Sequence, residues 1–445
     1  MVLLVDLFYL VASPFFLITI LFRSRFFTRR RYRAGLAEKF GSIKSRKGDR
    51  RCLWIHAVSV GEVRTSLPLL RSIAREFSDW DLVLSTSTDT GHDVAEKALA
   101  QFERPIDLIY FPLDPSWSVR RSLNAVRPNA VILIELELWP NFLMLAQRRG
   151  IPVYVANGRL TERSARRYAK VPGGRFLFSL PEGFAVQDAT YERRFRDLDV
   201  PADRIEVLGN LKYDIELPGT EFQKSVVATR EALDWRPDNG AGGVAVVMAG
   251  CSHPGEETTI LEAFRALRER ESELFLILAP RHIERTAEVV ELASRADCGA
   301  VARWSEVSGG LGPKDKVRVL VVDVIGELDR FYSLADLVFI GGTFIPHGGH
   351  NILEPARFGK PVVFGPSVHN FEDMVGHFLN RNAVVQVGSG EDLLTEFERL
   401  RTDREAREGL AKRAREASTE LGGAVDRHVR WLCRQLRQEP LKTSK

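Results

Sequence analysis

Cysteine is scarce in this chain of 445 residues, which contains only four. They are scattered along the sequence as Cys52, Cys251, Cys298 and Cys433, and no CxxC pair occurs. This scatter argues against a disulfide framework and against a thiolate zinc site. The cysteine content is instead typical of a protein from a reducing compartment.

No charge of one sign dominates the sequence. There are 63 lysines and arginines against 59 aspartates and glutamates, so the formal net charge is only +4. That balance argues against bulk nucleic-acid binding, and a content of 44% hydrophobic and 27% charged residues indicates a globular protein. Single hydrophobic cores stop growing at about 250–300 residues, so we expect two domains.

A long hydrophobic run covers residues 1–22, where Asp6 is the only charged side chain. About 20 apolar residues span a bilayer as a helix. Arginines follow the run, between residues 23 and 33, whereas a signal peptide carries its positive charge before the apolar run. We therefore expect a membrane anchor with the globular body in the cytoplasm. Asp6 and Pro14 leave two alternatives, a spanning helix and a helix that lies in the interface.

Strand-like and helix-like patterns alternate after the basic segment. The predicted strands of a first series are 52–58, 81–86, 107–111, 130–134, 151–156, 183–186 and 205–208. A second series begins at 244–249, after a stretch around Pro218 and Gly219 that is typical of a linker. Strands that alternate with helices of about 10–15 residues predict parallel sheets with helices on both faces.

The sequence therefore predicts an α/β protein with two doubly wound, Rossmann-like domains that face a central cleft. We place the membrane anchor at 1–22, the N-terminal domain at 23–216, the linker at 217–224 and the C-terminal domain at 225–445. Ligands of such sheets bind outside the carboxyl ends of the strands. The residues just past each strand are therefore the candidates for chemistry.

Charged side chains follow three strands of the first domain. Glu62 comes after the run 52–58 and a short break, Glu135 directly follows 130–134, and Lys212 follows 205–208. Carboxylates among cations suit a substrate that carries acidic groups and hydroxyl groups. The structural alternative for Glu62 is a carboxylate that only stabilises the start of the next helix.

The most specific stretch of the second domain is the glycine-rich segment 340–366. Its glycines let the backbone approach a ligand closely, and Asn351 is predicted to cap a helix whose free N–H groups bind an anion. Glu354 would either complete a capping box or accept hydrogen bonds from ligand hydroxyls. Arg281 follows the predicted strand 274–278 and is placed for a phosphate or carboxylate, with an ordinary surface arginine as the alternative.

The histidines near this segment do not have a convincing metal-binding spacing. His347 and His350 form a His-Gly-Gly-His sequence without carboxylate support, and His282 is the other histidine that we place near the site. We therefore expect no metal ion and no cofactor. A serine hydrolase is also unsupported, because the sequence has no G-x-S-x-G motif.

Several segments resemble, in this order, those of the bacterial 3-deoxy-D-manno-octulosonic acid (Kdo) transferase family. They are HAVSVGEV, IELELWPN, ANGRLTERSARRYAK, LGNLKYD, APRH and GGHNILEP. The resemblance covers nearly the entire chain and implies a two-domain glycosyltransferase fold of the B type. It also implies an inverting, metal-independent transfer of Kdo from CMP-Kdo to the lipid A precursor in lipopolysaccharide biosynthesis. The expected location is the cytoplasmic face of the bacterial inner membrane.

The resemblance also implies roles for individual residues. Glu62 matches the catalytic base, and Glu135 and Lys212 match residues that stabilise the transition state. The segments that hold the CMP moiety match Pro280, Arg281, Ile325, Gly326, Glu327, Asn351, Ile352, Leu353 and Glu354. Isoleucine at 325 departs from the methionine expected in many relatives. The implied partners are CMP-Kdo at the C-terminal domain, the lipid A precursor at the N-terminal domain and inner-membrane lipid, without nucleic acid.

Two other functions stay open from the sequence. One is a B-type glycosyltransferase or epimerase that acts on a different sugar nucleotide and would not need a membrane anchor. The other is a catalytically inactive, membrane-bound scaffold on the same fold. The presence of Glu62, Glu135, Lys212 and Arg281 argues against the scaffold.

Overall fold

The computed structural model describes residues 1–7, 9–11, 35–214, 219–235, 246–271, 273–310 and 316–437. The chain divides into two units, one formed by Met1–Asp214 with Gly422–Lys445 and the other by Ile215–Leu421. Half of the predicted anchor 1–22, and the arginines behind it, lie outside the described residues. Within the part of the chain that is described, every helix is too short or too polar to cross a membrane.

Seven parallel strands form the sheet of the first unit. They are β1 Cys52–His56, β2 Asp81–Thr86, β3 Asp107–Tyr110, β4 Ala130–Ile134, β5 Val153–Gly158, β6 Gly183–Val186 and β7 Ile205–Val207. Their order in the sheet is β3-β2-β1-β4-β5-β6-β7. This is the doubly wound arrangement that the alternating pattern predicts, so the predicted α/β class is confirmed for this unit.

Apolar side chains cover both faces of this sheet. In β1, Cys52 and Trp54 belong to one core cluster, whereas Leu53 and Ile55 belong to the other. Strand β4 alternates between the same two clusters, and all five of its residues are buried. Because both faces are covered, these strands are continuous apolar runs rather than alternating ones.

Helices connect the strands of the first unit. They are α1 Leu36–Lys39, α2 Val60–Glu76, α3 Asp89–Leu99, α4 Ser116–Val126, α5 Pro140–Arg148, α6 Glu162–Lys170, α7 Gly174–Ser179 and α8 Ala189–Arg196. Short 3-10 helices cover Ala202–Arg204 and Leu211–Tyr213. Helical structure also covers residues 2–7 and 9–11 at the N-terminus.

The sheet of the second unit also has seven parallel strands. They are β8 Val246–Ser252, β9 Phe275–Pro280, β10 Val301–Arg303, β11 Val319–Val321, β12 Leu337–Ile340, β13 Val362–Phe364 and β14 Val385–Gln386. Their order is β10-β11-β9-β8-β12-β13-β14, which confirms the second α/β domain. Strands β10 and β14 are absent from the predicted series. Unlike β11 and β13, which are similarly short but wholly apolar, they end in a polar residue, Arg303 and Gln386.

The helices of the second unit surround this sheet. They are α9 Thr220–Ala232, α10 Glu256–Arg268, α11 Thr286–Arg295, α12 Trp304–Ser308, α13 Leu328–Leu334, α14 Leu353–Arg357, α15 Glu372–Leu379, α16 Gly390–Thr402 and α17 Arg404–Leu421, with a 3-10 helix at Ile283–Arg285. Helix α9 begins inside the predicted linker 217–224, so that linker is wrong from residue 220 onward. Just beyond α9, Trp235 is buried and donates a hydrogen bond to the carbonyl of Val317 at 2.9 Å, which explains why this segment is ordered against the second unit.

The last described helix, α18 Ala424–Arg437, belongs to the first unit. The predicted second domain of 225–445 is therefore wrong at its C-terminal end. Trp431 packs edge-on against Tyr154 of β5, with ring centroids 5.6 Å apart, and the buried His428 accepts a hydrogen bond from the N–H of Asn157 at 3.1 Å. An amphipathic pattern predicts that one face of a helix is buried, but it does not predict which core buries it.

The strand order of each sheet reverses at one point. The reversal lies between β1 and β4 in the first unit and between β8 and β12 in the second. The connections that follow the two strands leave toward opposite faces of the sheet, which opens a crevice at its carboxyl edge. The residues after these four strands are therefore the first place to look for a site.

Replacement of Trp431 by alanine tests the return of α18 to the first unit. It should lower the free energy of unfolding by about 3–5 kcal/mol, because a fully buried aromatic side chain is lost. Urea unfolding followed by circular dichroism measures the change. The control is Arg430→Ala, exposed on the same helix, which should change the stability by less than about 0.5 kcal/mol. Equal stability of Trp431→Ala and the parent would contradict the packing of α18.

Candidate active site

Glu62 lies in the first turn of α2, just after β1. Ser59 is the N-cap residue of this helix. The carboxylate of Glu62 accepts a hydrogen bond from the N–H of Val58 at 2.8 Å and another from the hydroxyl of Ser59 at 3.1 Å. Glu62 therefore does stabilise the helix start, as the structural alternative predicts. The side chain is only half-buried, and its oxygens have further lone pairs for an incoming hydroxyl.

Opposing effects act on the acidity of Glu62. Burial is the largest of them and raises the pKa of the carboxyl group above its usual value, and the neighbouring Glu135 raises it too. The N–H of Val58, the hydroxyl of Ser59 and the ammonium of Lys212 lower the pKa, because each stabilises the ionised form. A carboxylate with a raised pKa is a better proton acceptor than an ordinary glutamate wherever the pH keeps it ionised.

Glu135 follows β4, on the other side of the strand-order reversal from Glu62. Its backbone φ is 62°, in the left-handed region where glutamate is rare, and its N–H donates to the carbonyl of Ala156 at 2.9 Å. The carboxylate Oε1 lies 3.5 Å from the Nζ of Lys212. Unusual backbone conformations of this kind cluster at functional sites. The structure thus brings the predicted residues Glu135 and Lys212 together.

The loop that carries Lys212 is held by asparagine side chains. The buried Asn157, at the end of β5, accepts a hydrogen bond from the N–H of Leu211 at 3.0 Å. Asn210 accepts one from the N–H of Lys212, also at 3.0 Å. Asn157 is absent from the predicted site residues, although its φ of 57° at a strand end is a conformation that asparagine tolerates better than most residues.

Glu137 adds a third carboxyl group to this edge of the sheet. Its pKa is raised to about 7, mainly by burial and also by the charges of Glu62 and Glu135, although a hydrogen bond from Trp139 Nε1 at 2.9 Å lowers it. Near neutral pH the three carboxyl groups therefore do not carry three full negative charges. This reduces the electrostatic cost of keeping Glu62 ionised.

A cavity of about 300 Å³ lies in the second unit, near the ends of β9 and β11. Four of the predicted CMP-binding residues line it, namely Pro280, Arg281, Ile325 and Gly326. Arg281 is exposed, and its guanidinium forms no ion pair with any described residue. Ile325 is 86% exposed, which is unusual for a large apolar side chain. The cavity therefore combines an apolar surface with a cation that is available to a ligand.

The other predicted CMP-binding residues are held by the protein itself. Glu327 accepts a hydrogen bond from Trp304 Nε1 at 3.0 Å and pairs with Arg330 at 2.9 Å. Ile352 and Leu353 are 1% exposed, so they line the core behind this loop rather than its surface.

The helix predicted to begin at Asn351 is shorter than expected. Helix α14 begins at Leu353, two residues later than predicted, has Ile352 as its N-cap and contains five residues. Asn351 does accept a hydrogen bond from the N–H of Leu353 at 3.1 Å, and its amide donates to Glu354 at 3.2 Å. Burial is the main cause of a raised pKa at Glu354, which favours the neutral carboxyl group there.

Glu256 is a site residue that the sequence pattern does not reveal. Its carboxylate is 1% exposed and accepts hydrogen bonds from four backbone N–H groups. They belong to His253 at 3.0 Å, Gly342 at 2.7 Å, and Thr343 and Phe344 at 3.0 Å each. One buried charge therefore fixes the loop after β8 to the loop after β12. Its only sequence signal is an acidic residue in a helix start after a strand, which is common in this fold.

Comparison with known proteins covers most of the chain. The profile of the family described as "3-Deoxy-D-manno-octulosonic-acid transferase (kdotransferase)" matches residues 34–215, and that of "Glycosyl transferases group 1" matches residues 258–417. A 3-deoxy-D-manno-octulosonic acid transferase of Haemophilus influenzae is 33% identical over 404 residues, which cover 89% of this chain and 90% of that protein. The chain belongs to the Kdo transferase family. The predicted resemblance is confirmed, and the protein is a glycosyltransferase.

Solved structures add a comparison of the fold. The C-terminal CMP-Kdo binding domain of WaaA from Acinetobacter baumannii is 30% identical and matches 44% of this chain and 97% of that domain, with a TM-score of 0.40. UDP-GlcNAc 2-epimerase from Neisseria meningitidis matches 86% of this chain and all of its own, with a TM-score of 0.56 at 14% identity. The second likeness shows a shared two-domain fold and nothing further about chemistry.

Proposed function

We propose that this glycosyltransferase moves Kdo from CMP-Kdo to a hydroxyl group of the lipid A precursor, in lipopolysaccharide biosynthesis. The observation that carries the proposal is the position of Glu62. In a chain of the Kdo transferase family, this carboxylate lies at the strand-order reversal of the first sheet, across from Glu135 and its ion pair with Lys212. A base beside a charged pair is what activation of an acceptor hydroxyl requires.

Glu62 is the general base of the proposed reaction. It takes the proton of the acceptor hydroxyl, whose oxygen then bonds to the anomeric carbon of Kdo. The bond from that carbon to the phosphate of CMP breaks, and the phosphate leaves with the electron pair. A single displacement of this kind inverts the anomeric configuration. Glu135 and Lys212 stabilise the transition state as a charged pair.

The donor half of the proposal rests on the cavity beside β9 and β11. Its volume of about 300 Å³ is at the small end of ligand sites and suits a nucleotide moiety. The exposed guanidinium of Arg281 binds a phosphate or carboxylate in a bidentate manner. It also supplies positive charge where the leaving phosphate gains negative charge, so we propose that transfer needs no metal ion.

The N-terminal residues support attachment to the membrane surface. Asp6 accepts hydrogen bonds from the N–H of Ser116 at 2.8 Å and the amide of Asn141 at 2.9 Å, and Tyr9 donates one to Asp114 at 2.9 Å. These polar residues face the first unit, as do Val2, which is 3% exposed, and the partly buried Val5, whereas the leucines of the same segment are exposed. The exposed side chains include Leu3 at 82%, Leu4 at 67% and Leu7 at 56%.

A helix on the surface of a soluble protein normally turns its leucines inward, whereas Leu3, Leu4 and Leu7 are exposed here. We propose that residues 2–7 and 9–11 lie in the interface of the cytoplasmic leaflet of the inner membrane, docked to the first unit through Asp6 and Tyr9. Phe40 and Trp117 are half-exposed, and their rings stack with centroids 5.8 Å apart. Trp117 is next to Ser116, which Asp6 contacts, and aromatic rings of this kind suit an interfacial position. A membrane-bound enzyme would meet its lipid acceptor there.

A transfer assay tests the proposed function directly. Purified full-length protein is incubated with lipid IVA and freshly prepared CMP-Kdo, and the lipid is analysed by mass spectrometry. We expect the mass of one or more Kdo residues to be added, with no loss of rate in EDTA. An unchanged lipid mass, under conditions in which the Haemophilus influenzae relative is active, would refute the function. Activity that EDTA removes and Mg²⁺ restores would refute metal independence alone.

The pH dependence of transfer tests the environment of Glu62. The base acts in its ionised form, so kcat/KM should fall as the pH drops through its raised pKa. Ser59→Ala removes a hydrogen bond that stabilises the ionised form, so the acidic limb should move to higher pH. Ser66→Ala, on the same helix but bonded to the carbonyl of Val63, should leave the limb in place. A limb that does not move in Ser59→Ala contradicts the assignment.

Binding to lipid vesicles tests the interfacial segment. Replacing both Leu3 and Leu7 by serine should weaken binding to vesicles with anionic lipid at least about tenfold, since each buried leucine contributes about 1.5–3 kcal/mol. Co-sedimentation measures the bound fraction. Val227→Ser, at an apolar side chain of α9 that is 57% exposed, serves as the control and should bind as the parent does. Unchanged binding of the double variant would contradict an interfacial position.

A further inference from the structure

Three histidines meet at the strand-order reversal of the second sheet. His253 follows β8, whereas His347 and His350 lie in the loop after β12. One ring nitrogen of each can be chosen so that all three atoms lie within 4.8 Å of one another. His347 and His350 alone do not make a convincing metal site. The third histidine, His253, lies almost a hundred positions earlier in the chain, so the sequence spacing does not reveal it. Only the sheet topology brings it there.

The ring nitrogens of these histidines lie nearly as far apart as the ligands of one metal ion. The Nε2 atoms of His253 and His350 lie 2.8 Å apart, and the ring of His347 has its centroid 4.2 Å from that of His253. Two nitrogens on one tetrahedral zinc, each about 2.0–2.1 Å from the metal, are about 3.3 Å apart. An opening of about half an ångström between His253 and His350 therefore admits such an ion.

Hydrogen bonds within the protein hold the backbone of the two histidine loops in place. The carboxylate of Glu256 accepts the N–H of His253 and that of Gly342, so it ties the two loops together. Gly342 has a φ of 69°, and a Cβ at this position would lie 3.1 Å from the rings of both His347 and His350. The absence of a side chain at 342 thus lets the two rings converge. Preorganised loops of this kind reduce the cost of assembling a site.

We propose that His253, His347 and His350 form a binding site for a transition-metal dication of the zinc type. Three imidazole nitrogens occupy three positions of a tetrahedron, and the fourth stays open to water or to an anion. Imidazole ligands favour Zn²⁺, Co²⁺, Ni²⁺ or Cu²⁺ over Mg²⁺ or Ca²⁺, which prefer oxygen. This site revises the expectation of no metal, without making the ion part of the transfer reaction.

The surrounding charges set the strength of the proposed site. Arg281 and Arg285 act on His253 as positive neighbours, and a dication is repelled by them. The buried charge of Glu256 acts in the opposite direction. We therefore expect a weaker site than one with a carboxylate ligand, and a preference for an anion in the open position.

Cobalt binding tests the proposal without any substrate. The full-length protein is purified without a polyhistidine tag, stripped of metal with a chelator and titrated with Co²⁺. We expect one equivalent to bind and to give the visible absorption of cobalt in a four-coordinate nitrogen site, which one equivalent of Zn²⁺ then removes. His347→Ala should weaken binding at least about tenfold, because the loss of even a supporting group of a metal site costs about 10–100-fold.

Matched variants separate this site from unspecific binding. His347 is exposed, so its replacement should leave the fold intact, which thermal unfolding without metal verifies. His377→Ala lies in the same unit, on α15 and outside the cluster, and should bind cobalt as the parent does. The absence of a saturable cobalt spectrum, or equal affinity of His347→Ala and the parent, would overturn the proposal. Neither result depends on whether the protein transfers Kdo.

Discussion

The reversal of strand order at one point in each parallel sheet is the constraint on which the site depends. At that point two connections leave toward opposite faces, and the loops behind two neighbouring strands stand next to each other. In the first unit this brings Glu62, after β1, to the same edge as Glu135, after β4. In the second unit it brings His253, after β8, to the loop after β12. Residues far apart in the chain become neighbours for this reason alone.

Buried polar side chains convert this proximity into a defined geometry. Asn157 accepts the N–H of Leu211 and so positions the loop of Lys212, while Glu256 accepts four N–H groups and joins two loops of the second unit. Buried polar groups of this kind are stable only when their hydrogen bonds are satisfied. All the carboxylate oxygens of Glu256 and the side-chain oxygen of Asn157 accept hydrogen bonds. The amide nitrogen of Asn157 has no partner among the described residues. Glu62 and Glu135 themselves are left half-buried, and Lys212 and Arg281 are exposed.

Much of this arrangement follows from the sequence. Continuous apolar runs alternating with amphipathic segments predict the two parallel sheets, and strand ends predict Glu62, Glu135 and Arg281. The predictions that are wrong concern features that do not depend on the local sequence pattern. The amphipathic pattern of α18 predicts a buried face, but not that this face packs against the core of the first unit. The glycine-rich loop does not predict that Ile352 and Leu353 are buried, or that the helix after it begins at Leu353.

The role of Glu62 is the central claim, and the variant Glu62→Gln tests it most directly. Glutamine keeps the size of the side chain and an oxygen for the N–H of Val58, but it cannot accept the proton of the acceptor. We expect the rate of transfer to fall by about 10²–10⁴-fold, the usual contribution of a general base, with the affinity for CMP unchanged. The control is Glu96→Gln, exposed on α3, which should transfer at the parent rate. Transfer by Glu62→Gln at close to the parent rate would contradict the account.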